Sequence, residues 1–210
     1  MSLNKFTTVI IADGLFPTKP QELFYLENAE QVVCCDGAVM KLLASGLRNP
    51  DWIIGDLDSV AAKVQDHFKN KIIIDANQET NDLTKAFQFC LMKGWKSICF
   101  LGITGLRDDH NLANLFLLFD YSEKADVIAP TSFGIFSVVN NKAELKSFSG
   151  QQVSFFCADK ETIVDCENLK WPLIQKKFDK VWAGSLNEST SDVLKIRTSS
   201  GPVLVFQKYD

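Results

Sequence analysis

Short apolar runs alternate with longer segments of helical periodicity through the first 130 residues. The runs are rich in Val, Ile and Cys and mostly end at Gly or Asp, as buried strands do. They predict strands at residues 7–12, 31–35, 52–55, 71–75, 98–101 and 126–129. The helical pattern covers residues 21–29, 38–45, 61–68, 82–93 and 111–119. This βαβα order predicts a mostly parallel sheet with helices on both faces.

After Pro130 the apolar residues follow a period of two, as in the segments VSFFCA and VLKIR. Turn signals such as Ser149-Gly150 separate these segments. Strands are predicted at residues 133–140, 143–148, 151–158, 162–166, 180–183, 192–198 and 203–207. The fold class is therefore α/β, with a Rossmann-like domain at residues 1–130 and a small antiparallel β-sandwich at residues 131–210.

The composition narrows the functional classes. Hydrophobic residues make up 46% and charged residues 23% of the 210, which is ordinary for a globular protein. A net charge of −4 predicts no nucleic-acid partner, and two histidines are too few for a histidine-rich metal site. Six cysteines without a C-x-x-C pair predict free thiols. The apolar run near the N-terminus is too short for a signal peptide or a membrane span, so we expect a cytoplasmic protein without a membrane partner.

Acidic residues follow several of the predicted strands. Because the carboxyl ends of parallel strands meet at one edge of a sheet, these residues are expected to gather there, where open α/β sheets bind ligands. Carboxylates near Lys85 and Arg107 suit a divalent metal and a polyphosphate better than an apolar ligand. The acidic residues concerned are Asp36, Asp56, Asp58, Asp82, Asp108 and Asp109.

The segment GDLDS at residues 55–59 is the most specific local motif. Asp56 and Asp58 can face one way if the chain stays extended, and Gly55 leaves room for a phosphate or Mg²⁺ beside the backbone. The alternative is structural, because Asp58 or Ser59 could cap the following helix. Taken alone, capping explains the motif at least as well as metal binding does.

Two further segments at this edge have both a functional and a structural explanation. Asp82 begins a predicted helix, where it either binds a metal or interacts with the helix dipole. Lys85, one turn later, either binds a phosphate or is simply solvated, and Gln78 could hydrogen-bond a nucleotide. Asp36 and Gly37 end the second predicted strand, a common place for a ribose or a phosphate.

A glycine-bearing loop at residues 102–110 follows the fifth predicted strand. Its glycines permit close backbone approach, and the guanidinium of Arg107 can bind phosphate oxygens in a bidentate manner. Asp109 and His110 could instead form a helix cap and its first turn, and Asn114 is equally ambiguous. The concentration of Gly, Arg, Asp and His in one loop exceeds what capping requires and favours a phosphate site.

Taken in this order, the motifs resemble those of the thiamin pyrophosphokinase family, over nearly the whole chain. Two residues depart from the family pattern, namely Asn81, where Thr is frequent, and Leu186, where a hydroxyl residue is usual. Trp171 is predicted to pack within the β-domain rather than to contact a ligand. The matching segments are DGA at residues 36–38, GDLDS at 55–59, residues 78–85, residues 102–114, LKWPL at 169–173 and GSLN at 184–187.

The resemblance implies transfer of pyrophosphate from ATP to the hydroxyl of thiamine, which gives thiamine diphosphate and AMP. It implies that residues 1–130 bind ATP and Mg²⁺ and that residues 131–210 bind thiamine, here through Ser185 and Asn187. It also implies a homodimer with the thiamine site at the subunit boundary.

The family roles carry over to matching positions of this chain. Arg107 and Lys85 are expected to neutralise charge on the transferring group and on AMP, and Asp109 to orient a ligand or the attacking hydroxyl. The expected Mg²⁺ ligands are Asp56, Asp58 and Asp82. The residues expected to contact ATP are Asp36, Gly37, Gly55, Gln78, Lys85, His110 and Asn114.

Two other functions remain open at this point. A metal-dependent phosphatase of the haloacid-dehalogenase type would use Asp56 as nucleophile and Asp58 as acid partner, but it leaves the Arg107 loop and the LKWPL segment without a role. A non-catalytic module that senses thiamine or nucleotide is the other, and Leu186 favours it. Formation of an aspartyl-phosphate identifies the first, and ligand binding without release of AMP identifies the second.

Overall fold

The computed structural model describes residues 6–77 and 79–210, which form two units. In the first unit are residues 6–115 and 124–132, and in the second are residues 116–123 and 133–210. The predicted contact of Gln78 with the nucleotide lies outside the described residues. No helix within the described ranges is both long and apolar enough to cross a membrane.

A parallel sheet forms the centre of the first unit. Its strands are β1 (Thr8–Ile11), β2 (Gln31–Cys35), β3 (Trp52–Gly55), β4 (Ile72–Ile74), β5 (Ser97–Leu101) and β6 (Asp126–Pro130). They lie in the order β6-β5-β1-β2-β3-β4, and every neighbouring pair is parallel. Val9, Ile10 and Ile11 of the central strand β1 are fully buried, as is typical of a parallel strand covered on both faces.

Helices connect these strands, as the βαβα pattern predicts. They are α1 (Pro20–Glu27), α2 (Ala38–Ser45), α3 (Ala62–Phe68), α4 (Asp82–Met92) and α5 (Asp108–Ser122). A short 3-10 helix at Lys69–Lys71 precedes β4. Helix α5 begins at Asp108, before the predicted start at residue 111, because Asp108 and Asp109 form its first turn, where the helix dipole favours acidic residues. The α/β class predicted from the sequence is confirmed.

The second unit contains two antiparallel sheets. One has the strands β7 (Gly134–Val139), β9 (Gln152–Cys157), β12 (Asn187–Glu188) and β14 (Val203–Lys208), in the order β12-β9-β14-β7. The other has the strands β8 (Lys142–Lys146), β10 (Val164–Cys166), β11 (Leu173–Lys176) and β13 (Val193–Thr198), in the order β11-β10-β13-β8. Buried side chains from both sheets share one core that includes Phe155 and Leu194. The predicted antiparallel β-sandwich is therefore confirmed.

Some local predictions in the second unit are wrong. The strand predicted at residues 180–183 is a 3-10 helix, Val181–Gly184, in which Val181 and Trp182 are both exposed and so do not alternate between two faces. The strand β11 has no counterpart among the strands predicted from the sequence. Trp171 does not pack in the core of the sandwich, because its side chain is 57% exposed with the ammonium of Lys170 5.1 Å from the ring centroid.

Candidate active site

A cavity of about 590 Å³ lies at the carboxyl edge of the parallel sheet, within the first unit. The residues following β1, β2, β3 and β5 and those at the start of α4 all contribute to its lining. The sequence-predicted site residues that line it are Asp36, Gly37, Asp82, Arg107, His110 and Asn114. The edge predicted from the sequence is therefore the place where these side chains meet.

The cavity lies beside the point where the strand order reverses, between β1 and β5. The loops after these strands are joined by backbone hydrogen bonds, from Gly14 N to the Gly102 carbonyl at 2.8 Å and from Leu15 N to the Thr104 carbonyl at 2.8 Å. A Cβ atom on Gly102 would lie 2.5 Å from the carbonyl oxygen of Ala12. Glycine is therefore needed at position 102, because a side chain there would prevent the close contact of the two loops.

Asp36 is a buried carboxylate in the cavity wall and is 6% exposed. Its Oδ2 atom accepts a hydrogen bond from Ser59 N at 3.4 Å, while its Oδ1 atom has no hydrogen-bond partner among the described residues. Burial raises the pKa of Asp36 above 3.8, and the charges of Asp56 and Asp82 raise it further, against the opposing effect of the Ser59 hydrogen bond. The site therefore concentrates negative charge around a buried oxygen that has no partner within the described part of the chain.

The GDLDS loop follows β3 and turns sharply. Leu57 has a φ of +69° with its side chain buried, and Asp56 Oδ1 accepts a hydrogen bond from Asp58 N at 3.2 Å. Gly55 contacts Asp36 so closely that a Cβ atom on Gly55 would lie 2.8 Å from the Cβ atom of Asp36. Among the described residues, Asp56 and Asp58 are not part of the cavity lining, but Asp56 is near enough to Asp36 in the cavity wall for its charge to raise the pKa of Asp36.

Asp82 opens helix α4 and is fixed by two neighbours. Asn81 is the N-cap, because its Oδ1 atom accepts a hydrogen bond from Thr84 N at 2.8 Å, and a Thr at this position could also cap the helix. Lys85 Nζ donates to Asp82 Oδ1 at 3.0 Å and to the carbonyl of Asp75 at 2.9 Å. The buried ammonium of Lys85 therefore holds Asp82 in place.

Arg107 and Asp109 form a bidentate ion pair on the surface of the loop. Arg107 Nε and Nη2 donate to the two carboxylate oxygens of Asp109 at 3.1 and 2.6 Å. This hydrogen-bonded contact with Arg107 lowers the pKa of Asp109 to about 2, and it raises the pKa of Arg107. Both side chains are mostly exposed, so the guanidinium can exchange this carboxylate for another anion at little cost.

Two asparagines shape the same loop from helix α5. Asn114 Nδ2 donates to the carbonyl of Ile103 at 2.8 Å, and Asn111 Oδ1 accepts from Gly105 N at 2.9 Å. Asn111 also lines the cavity, but no signal in the sequence separates it from an ordinary helical residue. His110 precedes both asparagines on the helix, is exposed and lines the cavity as well.

The residues fit a metal that arrives with a polyphosphate. Within the part of the chain that the structure describes, no group of three or more His, Cys, Asp and Glu side chains could hold a metal by itself. Mg²⁺ commonly takes only one or two protein carboxylates and completes its coordination with phosphates and water. The unpartnered Oδ1 atom of Asp36 and the nearby charges of Asp56 and Asp82 suit such a cation.

A cysteine also lines the cavity, but it is not a nucleophile. Cys35 is buried, and burial raises the pKa of its thiol well above 9.0, with charges at Asp82 and other neighbours adding to the effect. A thiol of this kind is protonated near neutral pH and therefore unreactive. All six cysteines of the chain are free.

The predicted thiamine residues lie in the second unit and are engaged in local contacts. Ser185 Oγ donates to the carbonyl of Trp182 at 2.6 Å. Asn187 Oδ1 accepts from Trp171 N at 3.2 Å, and Asn187 Nδ2 donates to the Trp171 carbonyl at 2.7 Å. Leu186 between them has a φ of +60° and projects into solvent. These contacts hold the Trp171 segment beside the GSLN turn.

The fold and the cavity together define an α/β protein with a partly acidic ligand cavity at the carboxyl edge of its parallel sheet. Residues 24–129 match the family model described as thiamin pyrophosphokinase, catalytic domain. Residues 134–206 match the model described as thiamin pyrophosphokinase, substrate-binding domain. The chain therefore belongs to the thiamin pyrophosphokinase family.

Solved structures with the same fold include several thiamin pyrophosphokinases. A family protein from Enterococcus faecalis is 18% identical, with a TM-score of 0.80 over 97% of this chain and 99% of its own. The Candida albicans enzyme is 17% identical, with a TM-score of 0.81 over 98% of this chain and 91% of its own. The Geobacillus thermodenitrificans enzyme is 22% identical, with a TM-score of 0.79 over 97% of each chain. Among curated proteins, no sequence gives a significant match.

The protein is accordingly an ATP-dependent thiamine diphosphokinase, which transfers pyrophosphate from ATP to thiamine. The resemblance based on the ordered motifs of the sequence is confirmed. The phosphatase and the non-catalytic sensing module, which the sequence alone leaves open, have no support from these matches.

Proposed function

We propose that the acidic edge of the first unit binds ATP with Mg²⁺ and that pyrophosphoryl transfer to thiamine takes place there. The observation that carries this proposal is the buried Oδ1 atom of Asp36, which lacks a partner among the described residues while Asp56 and Asp82 add negative charge around it. A buried polar atom without a hydrogen-bond partner destabilises the folded protein, and a cationic ligand would supply the missing partner.

Asp56, Asp58 and Asp82 are the proposed Mg²⁺ ligands. When bound, the metal would offset the negative charge of the phosphates during the transfer. The chain itself positions two of these carboxylates: Asp58 N donates a hydrogen bond to Asp56 Oδ1, and Lys85 forms an ion pair with Asp82. Lys85 is therefore proposed to act on the phosphates through Asp82, which it positions.

Arg107 is the proposed phosphate-binding cation of the site. Its guanidinium is already oriented by Asp109, and phosphate oxygens accept the same two-pronged hydrogen bond that the carboxylate accepts. Transfer of Arg107 to the substrate frees Asp109 to orient a ligand or the attacking hydroxyl of thiamine. Because this hydroxyl attacks the β-phosphorus of ATP, the placement of Arg107 along the triphosphate decides which phosphorus is exposed.

The remaining roles divide between the two units. The first unit is proposed to bind ATP, and the second to bind thiamine through Ser185 and Asn187. Contacts with ATP are proposed for Asp36, Gly37, Gly55, Gln78, His110 and Asn114.

We further propose a cytoplasmic homodimer whose thiamine site lies at the subunit boundary. Exposed apolar side chains on the second unit support this proposal, because apolar side chains in contact with water do not stabilise an isolated subunit, whereas their burial stabilises an interface. They include Trp171, Ile174, Val181, Trp182 and Leu186. The free cysteines are consistent with a reducing compartment.

The metal proposal is tested by an Asp56→Asn variant assayed for AMP across a range of Mg²⁺ concentrations. Removal of the carboxylate is expected to lower kcat by about 100-fold or more while the far-UV spectrum stays unchanged. The matched control is Asp66→Asn, because Asp66 is an exposed carboxylate on α3 outside the cavity. An Asp56→Asn protein with the turnover of the control would contradict the assignment.

A further inference from the structure

The loop that carries the acidic motif has an unusual backbone conformation. Leu57, between Asp56 and Asp58, has a φ of +69° although it is a bulky residue. Such a conformation is strained for any residue with a branched or large side chain, and it persists only where the surroundings fix it. The side chain of Leu57 is buried, and its carbonyl accepts from Val60 N at 3.1 Å, so the turn is closed on one side by its own backbone.

A side chain from helix α3 fixes the turn on its other side. Gln65 Nε2 donates to the carbonyl of Leu57 at 3.2 Å and to the carbonyl of Val60 at 2.8 Å. A side-chain amide nitrogen has two hydrogens to donate, so both are used on this turn. Gln65 is half-buried and, in the described part of the chain, does not line the cavity.

We infer that Gln65 is a positioning residue, whose amide holds the GDLDS turn in the conformation that presents Asp56 and Asp58 to the metal and the polyphosphate. The inference rests on the proposed function, because it assumes that these carboxylates bind Mg²⁺. It goes beyond the family motifs, since Gln65 follows the GDLDS segment and acts on the site only through that turn.

The same turn governs two contacts of the acidic groups. Asp58 N donates to Asp56 Oδ1, and Ser59 N donates to Asp36 Oδ2 at 3.4 Å. Both donors lie within residues 57–60. Gln65 donates to the carbonyls at the two ends of this segment, those of Leu57 and Val60. If the turn relaxed, Asp36 and Asp56 would lose these backbone hydrogen bonds together, and the carboxylates would no longer be held in one arrangement.

The test compares Gln65→Met and Gln65→Glu with Lys63→Met as control. Methionine keeps the length of the side chain and removes both donors, while glutamate keeps the shape and places an oxygen against the two carbonyls. Lys63 is an exposed residue of the same helix. Mn²⁺ binding in the presence of a non-hydrolysable ATP analogue is measured by electron paramagnetic resonance, together with the melting temperature and the kinetic constants.

We expect the dissociation constant of Mn²⁺ to rise by about 10- to 100-fold in both Gln65 variants, as is usual when the support of a metal ligand is removed. The KM for thiamine should stay unchanged, and the control should bind the metal as the native protein does. A purely structural role for Gln65 would lower the melting temperature of the variants without weakening metal binding.

The outcomes separate this inference from the proposal on which it rests. If the native protein binds no Mn²⁺ with the ATP analogue, the metal proposal is wrong, and the inference about Gln65 that rests on it is wrong as well. If the native protein binds Mn²⁺ and the Gln65 variants bind it within about twofold of the same affinity, Gln65 has no positioning role. Should Gln65→Met fail to fold, the isosteric Gln65→Glu variant decides the question through its dissociation constant for Mn²⁺ and its melting temperature.

Discussion

The ammonium of Lys85 lies 3.0 Å from Asp82 Oδ1, and the side chain of Lys85 is only 3% exposed. A lysine this buried is held by its partners, here the carboxylate of Asp82 and the carbonyl of Asp75. Lys85 thereby links the residue that follows β4 to the first residue of α4. In the protein without ligand Lys85 therefore supports Asp82, and the contact with phosphate that the sequence pattern suggests stays a prediction.

Replacement of Lys85 by methionine should weaken the fold as well as the activity. Methionine keeps much of the apolar stem but leaves Asp82 and the Asp75 carbonyl without their donor. The free energy of unfolding should fall by about 1–3 kcal/mol, the usual cost of losing a hydrogen bond to a charged group. The exposed Lys63→Met variant should change it by less than about 0.5 kcal/mol. Urea unfolding followed by circular dichroism measures both, and equal stability of the two variants would contradict the supporting role of Lys85.

Replacement of Asp36 by asparagine should raise stability while it lowers activity. Burial and the charges of Asp56 and Asp82 raise the pKa of Asp36 above 3.8. Between 3.8 and the raised pKa the folded protein binds more protons than the unfolded chain, so stability falls as the pH rises through this window. The Asp36→Asn substitution removes the penalty that the charged form carries at neutral pH.

The stability difference between the Asp36→Asn variant and the native protein should therefore be largest near neutral pH and vanish as the pH approaches 3.8. Urea unfolding in the absence of metal and ATP, at a series of pH values, measures it. The kcat of the variant should fall by about 10- to 100-fold. A variant that is less stable than the native protein at neutral pH would show that Asp36 is not an uncompensated charge in the ligand-free protein.

Arg107→Lys should separate charge from geometry at the phosphate site. Lysine keeps the positive charge but cannot make the bidentate contact that Arg107 makes with Asp109. The kcat/KM for ATP should fall by about 10- to 100-fold, with the free energy of unfolding unchanged because the pair is exposed. Steady-state kinetics with varied ATP gives the value. A lysine variant with native kinetics would mean that Arg107 acts only through its charge.

Gly55→Ala should lower the stability of the protein by more than the positive φ of residue 55 alone would explain. The φ of Gly55 is +155°, and the added Cβ atom would lie 2.8 Å from the Cβ atom of Asp36. Gly94→Ala is the control, because Gly94 also has a positive φ, of +78°, but open space around it. We expect the Gly94 change to cost about 1 kcal/mol and the Gly55 change clearly more. Thermal unfolding compares them, and equal costs would mean that Asp36 moves aside freely.

Much of the fold could be predicted because the decisive signals are local. The strands β2 and β3 and the helix α2 begin and end where the pattern predicts, since each is an apolar run or periodic segment bounded by Gly, Asp or a polar residue. The segment at residues 180–183 has strand-forming residues but forms a 3-10 helix, because strand pairing is set by the rest of the chain. A single sequence does not show directly which segments far apart along the chain pair as strands.

The site shows the same division between local and distant information. The parallel-sheet rule predicts that Asp36, Asp82 and Arg107 meet at one edge, and the cavity lies there. The burial of Lys85 and the hydrogen bonds of Gln65 depend on how helices pack beside the loops. Neither residue type nor spacing predicts these contacts, because Lys and Gln on a helix are usually solvated.

The most direct test of the account follows the products formed from thiamine and ATP labelled in its β-phosphate, with the native protein and the Asp56→Asn variant side by side. We predict labelled thiamine diphosphate and unlabelled AMP in equal amounts, both dependent on thiamine, and loss of both products in the variant. Formation of ADP with thiamine monophosphate, or undiminished products from the Asp56→Asn protein, would contradict pyrophosphoryl transfer at the acidic edge.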